Sequence, residues 1–164
     1  MKKMKKIAAA LSLLLALTGC AGSAVETETQ HGTEVESIKQ EDTLLTAHFI
    51  DVGQADCALL ASGGHYMVID GGNNGDADKI ITYLEGQGVE KLDAVVGTHP
   101  HEDHIGSLDA IINHFAVDAV YMPKIMHTSK TFEDVLDAVA DKGLKIKSST
   151  PGESIDFNAW KLRC

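Results

Sequence analysis

The sequence predicts an α/β layered domain, a mixed sheet covered by helices, from three observations. Three short apolar runs separated by glycine-rich turns open the folded part of the chain. The hydrophobic period then changes to that of a helix, and from there strand and helix patterns alternate to the end. An antiparallel meander followed by such alternation reads as a mixed sheet covered by helices.

The elements follow in order. Leu44 to Val52 is rich in β-formers and stops at Gly53, Cys57 to Ala61 stops at Ser62-Gly63-Gly64, and Tyr66 to Ile69 stops at Asp70-Gly71-Gly72. These are the three strands of the meander. Asp76 is placed to cap a helix whose apolar face is Ile80, Ile81 and Leu84 and which Gly86 or Gly88 ends. Leu92 to Gly97 is a buried strand running into Thr98-His99. Ile105, Leu108, Ile111, Ile112 and Phe115 then make a helical stripe. Ala119 to Met122 is a strand closed by Pro123. Thr131 and Asp134 form a weak capping box for a helix carrying Val135, Leu136 and Val139, with Gly143 as the residue after its last turn. Leu144 to Lys147 and Ile155 to Phe157 complete the strands.

What precedes this domain has a different character. Lys2, Lys3, Lys5 and Lys6 precede the apolar run Ile7 to Leu17, a run too short to span a bilayer and shaped like a secretory signal. It ends in Leu17-Thr18-Gly19-Cys20, which resembles a bacterial lipobox. Residues 1–19 are therefore expected to be a lipoprotein signal peptide and Cys20 the lipidated first residue, anchored to the outer side of the cell membrane. Residues 20–42 are acidic and free of aromatics, as in a disordered tether. The domain is expected over residues 43–164.

Charge narrows the partners. The chain has 14 basic and 24 acidic residues, for a net charge of −10. From Thr43 onward nine basic residues face eighteen acidic ones. That sign opposes broad contact with a phosphate backbone, so no electrostatic nucleic-acid footprint is expected. Beyond Cys20 only Cys57 and Cys164 remain. Two cysteines make no disulfide framework, and Cys57 lies in an apolar strand where it reads as core.

The strongest chemical signal is His99-Pro100-His101-Glu102-Asp103-His104. It places His99, His101, Asp103 and His104, four good metal ligands, at the end of a buried strand and just before a helix. In extended backbone His99 and His101 point to one side. The turn into the helix can return Asp103 and His104 to the same cavity. Imidazole and carboxylate suit zinc, with manganese or iron as alternatives. His127 follows a later strand and could face the same place, although it reads more readily as a non-ligand.

At these residues the chain resembles the metallo-β-lactamase fold superfamily through the HxHxDH pattern. Phe49-Ile50-Asp51-Val52-Gly53-Gln54-Ala55-Asp56, Val68-Ile69-Asp70-Gly71-Gly72 and Asp103-His104-Ile105-Gly106-Ser107 resemble three motifs of the extracellular hydrolase domain of ComEC-type competence proteins. The resemblance implies an αββα sandwich, of which residues 43–164 would be the N-terminal half. It assigns His99 and His101 to a first zinc (or manganese) ion, and Asp103 and His104 to a second. Asp103 would also orient the water or take its proton, Asp70 would support the ligand loop, and Asp51 and Asp56 would lie near the site. Gln54-Ala55 stands where the family has Gln-Gly, and Gly106-Ser107 where it has Gly-Gly. The implied chemistry is metal-assisted hydrolysis, with a phosphodiester favoured over a β-lactam. The family's second half supplies further ligands, so the chain is expected to be a truncated form, weak or inactive alone, or one that dimerises to cover the missing half. The competing expectation is a non-catalytic lipoprotein that binds a metal or a partner.

Overall fold

The computed structural model describes residues 44–148 and 150–163. The expected signal peptide, Cys20, the linker, Thr43 and Cys164 lie outside the described residues. Among the described residues no helix is long and apolar enough to cross a membrane.

Three strands open the domain: β1 (Thr46–Phe49), β2 (Ala58–Ser62) and β3 (His65–Ile69). They pair antiparallel, Phe49 opposite Ala58 and Ser62 opposite His65. Gly63 and Gly64 turn β2 into β3, both with positive φ, a backbone region glycine enters freely. Helix α1 (Ala77–Gly86) then crosses over to β4 (Lys91–Leu92) and β5 (Ala94–Val96). Strand β5 lies parallel to β3, Ile69 beside Val96.

After β5 come α2 (Glu102–Ile105), α3 (Leu108–His114), β6 (Ala116–Val117) and β7 (Val120–Tyr121). Helix α4 (Lys130–Asp141) leads to β8 (Ile146–Lys147), and β9 (Ser154–Phe157) with β10 (Trp160–Arg163) forms a hairpin. The main sheet runs β1-β2-β3-β5-β7-β8, antiparallel in its first half and parallel in its second. This is the mixed α/β sheet expected from the sequence.

The core sits mainly on one face. Leu59, Val68, Val95 and Val120 are fully buried there beneath Ile80, Leu84, Leu108, Ile111, Ile112 and Val135 of the helices. On the other face Leu60, Met67 and Ala94 pack with Ile155 and Phe157 of the hairpin. The two sets alternate along each strand, as the period of two requires.

Four local expectations are corrected. The stripe from Ile105 to Phe115 is two helices, broken at Gly106-Ser107, because Gly106 passes so close to the chain opposite that a Cβ would collide with the backbone of Asn73 and Asn74. The strand from Leu92 is likewise split. The side chain of Asp93 accepts from the Tyr66 N–H (2.8 Å), and β4 turns away to pair with β6. Asp76 precedes α1, but its carboxylate accepts from Asn73 N (2.8 Å) and caps the turn rather than the helix. Helix α4 is capped by Ser129, whose hydroxyl accepts from Phe132 N (3.2 Å), two residues before the expected Thr131.

Candidate metal centre

The centre is assembled at the carboxyl ends of β3 and β5, where adjacent parallel strands deliver two loops to one place. From β3 comes Asp70, buried and held at φ 60, a left-handed conformation that aspartate tolerates better than most residues. Its N–H donates to Val96 O (2.8 Å), which continues the β3–β5 ladder by one bond. From β5 comes Gly97-Thr98-His99, after which Pro100 is buried and α2 begins.

Backbone bonds tie the loops together. Gly71 N donates to His104 O (2.6 Å), Gly106 N to Gly72 O (2.9 Å) and Ser107 N to Gly71 O (3.1 Å). The Ser107 hydroxyl, almost fully buried, donates to Asn73 O (2.6 Å), so serine at this position is used rather than merely tolerated. A third loop joins through Asp56 N to Asp103 O (3.0 Å) and Gly72 N to Asp56 O (2.8 Å). Ala55, where the family motif has glycine, is absent from the positive-φ residues, whereas Gly53 adopts φ 72. The turn therefore needs no glycine at position 55.

Asp70 spends its carboxylate on this assembly. Oδ1 accepts from Thr98 N (2.8 Å), and Oδ2 accepts from the Thr98 hydroxyl (2.7 Å) and from His104 Nδ1 (2.9 Å). A carboxylate among three donors is an acceptor only, so Nδ1 of His104 carries the hydrogen and Nε2 presents its lone pair. This is the arrangement in which a buried carboxylate orients a metal-binding imidazole. Thr98 has given its one proton to Asp70, so its oxygen can only accept from His99 Nδ1 (3.3 Å), which likewise leaves Nε2 of His99 free to ligate. Sequence reading passed over Thr98, since a threonine before the motif carries no metal-ligand chemistry of its own.

Around Nε2 of His104 stand Asp56 Oδ2 (3.6 Å) and Asp103 Oδ2 (3.8 Å). One ligand atom each from His99, Asp103 and His104 falls within 4.8 Å of the others. The rings of His99 and His104 lie 3.6 Å apart, and the exposed His101 ring stands edge-on to His99 at 4.9 Å. Two imidazoles and a carboxylate, with His101 and Asp56 at the rim, form a nitrogen and oxygen donor set of the kind zinc, manganese or iron accepts.

Asp51 takes another part. Its side chain accepts from Gly53 N (3.2 Å) and lies 4.0 Å from Lys79, whose ammonium also bonds the Asp51 carbonyl. It shapes the turn, and no contact joins it to the histidines among the described residues. Cys57 is buried below the site. Burial first, and then the charges of Asp70 and Asp76, push its thiol up to about 12, so it is core rather than nucleophile. His48, His65 and His114 bond Tyr83, Asp93 and Glu85, away from the cluster. His127 is different: its ring stands 5.8 Å from that of His101. A groove of about 550 Å³, lined by Met122, Pro123, Ile125, Met126, Phe132 and Ile146 among others, adjoins the same loop.

Comparisons with known proteins agree with this architecture. ComE operon protein 3 of Bacillus subtilis (strain 168) is 25% identical over 126 residues, 66% of this chain and 16% of that protein. A hydroxyacylglutathione hydrolase of Aeromonas hydrophila is 34% identical over 67 residues, 41% of this chain and 25% of the enzyme. The chain thus spans a quarter or less of these two relatives. Among solved structures, the metallo-beta-lactamase SMB-1 bound to 2-mercaptoethanesulfonate superposes with a TM-score of 0.54 at 18% identity, covering 74% of this chain and 51% of that one. The chemotaxis sensor ODP, solved as a peroxy diiron species, gives 0.52 at 12% identity, covering 70% and 46%. The profile described as Metallo-beta-lactamase superfamily matches residues 50–162, and with the fold and motifs above the chain belongs to that superfamily.

Proposed function

We propose that this chain is a metal-dependent hydrolase, or the metal-binding half of one, acting on phosphodiesters. The observation that carries the reading is the pairing of His104 Nδ1 with buried Asp70 (2.9 Å), which turns Nε2 toward the carboxylates of Asp56 and Asp103. In this reading His99, His101, Asp103 and His104 would hold one or two ions, zinc or manganese. A bound ion would lower the pKa of a water and stabilise charge developing on the substrate. Asp103, exposed beside the cluster, orients the attacking water and takes up its proton. The water oxygen adds to phosphorus, the ester P–O bond breaks, and the proton passes to the departing alkoxide. Asp70 reacts with nothing; its part is to keep His104 in one tautomer.

The substrate class is supported by the extent of the likenesses. The match to ComE operon protein 3 extends over more of the chain (66%) than that to the hydroxyacylglutathione hydrolase (41%), and the Phe49–Asp56 segment resembles a motif of competence-type domains. The acidic domain favours a small phosphodiester or a strand end over a long duplex track. The lipobox-like Leu17-Thr18-Gly19-Cys20 supports export and attachment to the outer side of the membrane.

The test is metal content and turnover of the chain beside its His101→Ala variant. Stoichiometric zinc or manganese that falls in the variant, with hydrolysis of bis(p-nitrophenyl) phosphate above that of a glutathione thioester, is expected. Stoichiometric metal with no turnover of either ester would favour a metal-binding lipoprotein without catalysis.

A further inference from the structure

We infer that His127 is a substrate-positioning residue, a neutral imidazole whose Nε2–H is offered to a non-bridging oxygen of the group being hydrolysed. The inference rests on the hydrolase reading above. It starts from the hydrogen bonds of Nδ1. The backbone N–H of Ser129 donates to Nδ1 of His127 (3.3 Å), and the Ser129 hydroxyl lies 2.9 Å from the same atom. A ring nitrogen that receives an N–H must present its lone pair, so the hydrogen of the neutral ring sits on Nε2. The Ser129 oxygen is itself occupied as acceptor by Phe132 N (3.2 Å), which frees the hydroxyl proton to point at Nδ1.

The contrast with His104 decides the role. His104 gives its Nδ1 hydrogen away to Asp70 and keeps a lone pair on Nε2, as metal ligands do. His127 does the reverse. Its Nε2 carries a hydrogen and cannot ligate while these bonds hold, so the ring is a donor beside the centre rather than part of it.

Its position fits that use. The ring stands edge-to-face with His101 (5.8 Å, 77°) and with Phe132 (6.3 Å, 76°). Among the described residues Nε2 has no hydrogen-bond partner, and the ring is only half-buried. Ser129 is the N-cap of the twelve-residue α4, so the ring is pinned to a regular element although its neighbour Met126 is 90% exposed. The charged groups within 4 Å of His104 Nε2 are carboxylates. An anionic substrate oxygen arriving there meets these carboxylates, and a fixed neutral N–H supplies a donor without adding to the metal's ligand set.

The experiment compares the full chain with His127→Ala and His127→Gln, each loaded with manganese and checked for folding by circular dichroism. Metal stoichiometry, affinity for inorganic phosphate by calorimetry, and kcat and KM for bis(p-nitrophenyl) phosphate are measured. The expected result is unchanged metal in all three. Phosphate affinity and kcat/KM should fall about ten- to a hundred-fold in His127→Ala, the worth of one hydrogen bond to a charged group, and glutamine, which keeps an N–H donor, should recover part of both. Unchanged phosphate affinity and kcat/KM in His127→Ala would overturn the inference while leaving the hydrolase reading intact. Loss of metal in that variant would overturn it by making His127 a ligand. Metal-bound wild type that turns over nothing would sink the hydrolase reading alone, and the phosphate affinities would then decide His127. A wild type that takes up no metal would overturn both.

Discussion

On the helix side of the six-stranded sheet, Leu59, Val68, Val95 and Val120 are covered by three helices whose own core residues are fully buried. On the opposite side Leu60, Met67 and Ala94 meet the β9–β10 hairpin, and a groove of about 280 Å³ runs between Met67, Val96, Thr98, Leu162 and Arg163. The candidate metal centre belongs structurally to the first side, through the backbone bonds between Gly71-Gly72 and the α2–α3 junction. The second side carries a cover attached through few residues, helped by Asn158 Nδ2 donating to Ser62 (3.1 Å to Oγ). The helix side should therefore carry global stability and the hairpin side should open locally.

The sharpest way to break this comparison is Leu108→Ala. Leu108 is fully buried and lies against both Gly71 and Gly97, so its truncation leaves a void at the junction of sheet, helix and site. A loss of about 3 kcal/mol is expected from chemical denaturation, within the range for buried leucines. Next is Asp70→Asn, which keeps the shape but puts an amide where two donors meet a carboxylate oxygen. About 2 kcal/mol of stability and roughly ten- to a hundred-fold in metal affinity should go, read by denaturation and by competition with a chelator.

Phe157→Ala comes third. Although Phe157 is as buried as Leu108, its loss should cost about 1–2 kcal/mol globally because the hairpin can yield alone. Faster hydrogen exchange confined to residues 154–163 would support this, and a cost equal to that of Leu108→Ala would erase the distinction between the faces. Last is Cys57. With its thiol pushed up from the ordinary 9.0 to about 12, its contribution to stability is complete below pH 9 and fades as pH rises toward 12. At pH 8 the native protein should leave Cys57 unlabelled by iodoacetamide in peptide mapping, while unfolded protein labels it.

The strands and helices that position the site were legible because their signals are local. Glycine turns set off the meander, and the strand from Leu92 visibly delivers His99. What stayed hidden depends on contacts distant in sequence. One helix or two give the same stripe from Ile105 to Phe115, and only the passage of Asn73 against Gly106 separates them. Strands β4 and β6, two residues each, exist because Leu92 and Val117 pair, which no period announces. At the site, ligand-type residues stood out by spacing. Thr98 did not, since its use depends on a carboxylate 28 residues earlier. Asp51 and Asp56 look equivalent in the motif, yet the backbone bond to Asp103 draws Asp56 toward His104 while Asp51 turns to Lys79.

The spacing of those partners also has a kinetic consequence. Asp70 reaches 28 residues to Thr98 and 34 to His104, so the cluster can form only after β3 and β5 have paired in parallel across a helical crossover. Such pairing is a late, high-contact-order event in folding. An ion that binds the finished cluster should therefore act as a brake on unfolding rather than a seed for folding. Adding it would lower the unfolding rate and leave the refolding rate nearly where it was.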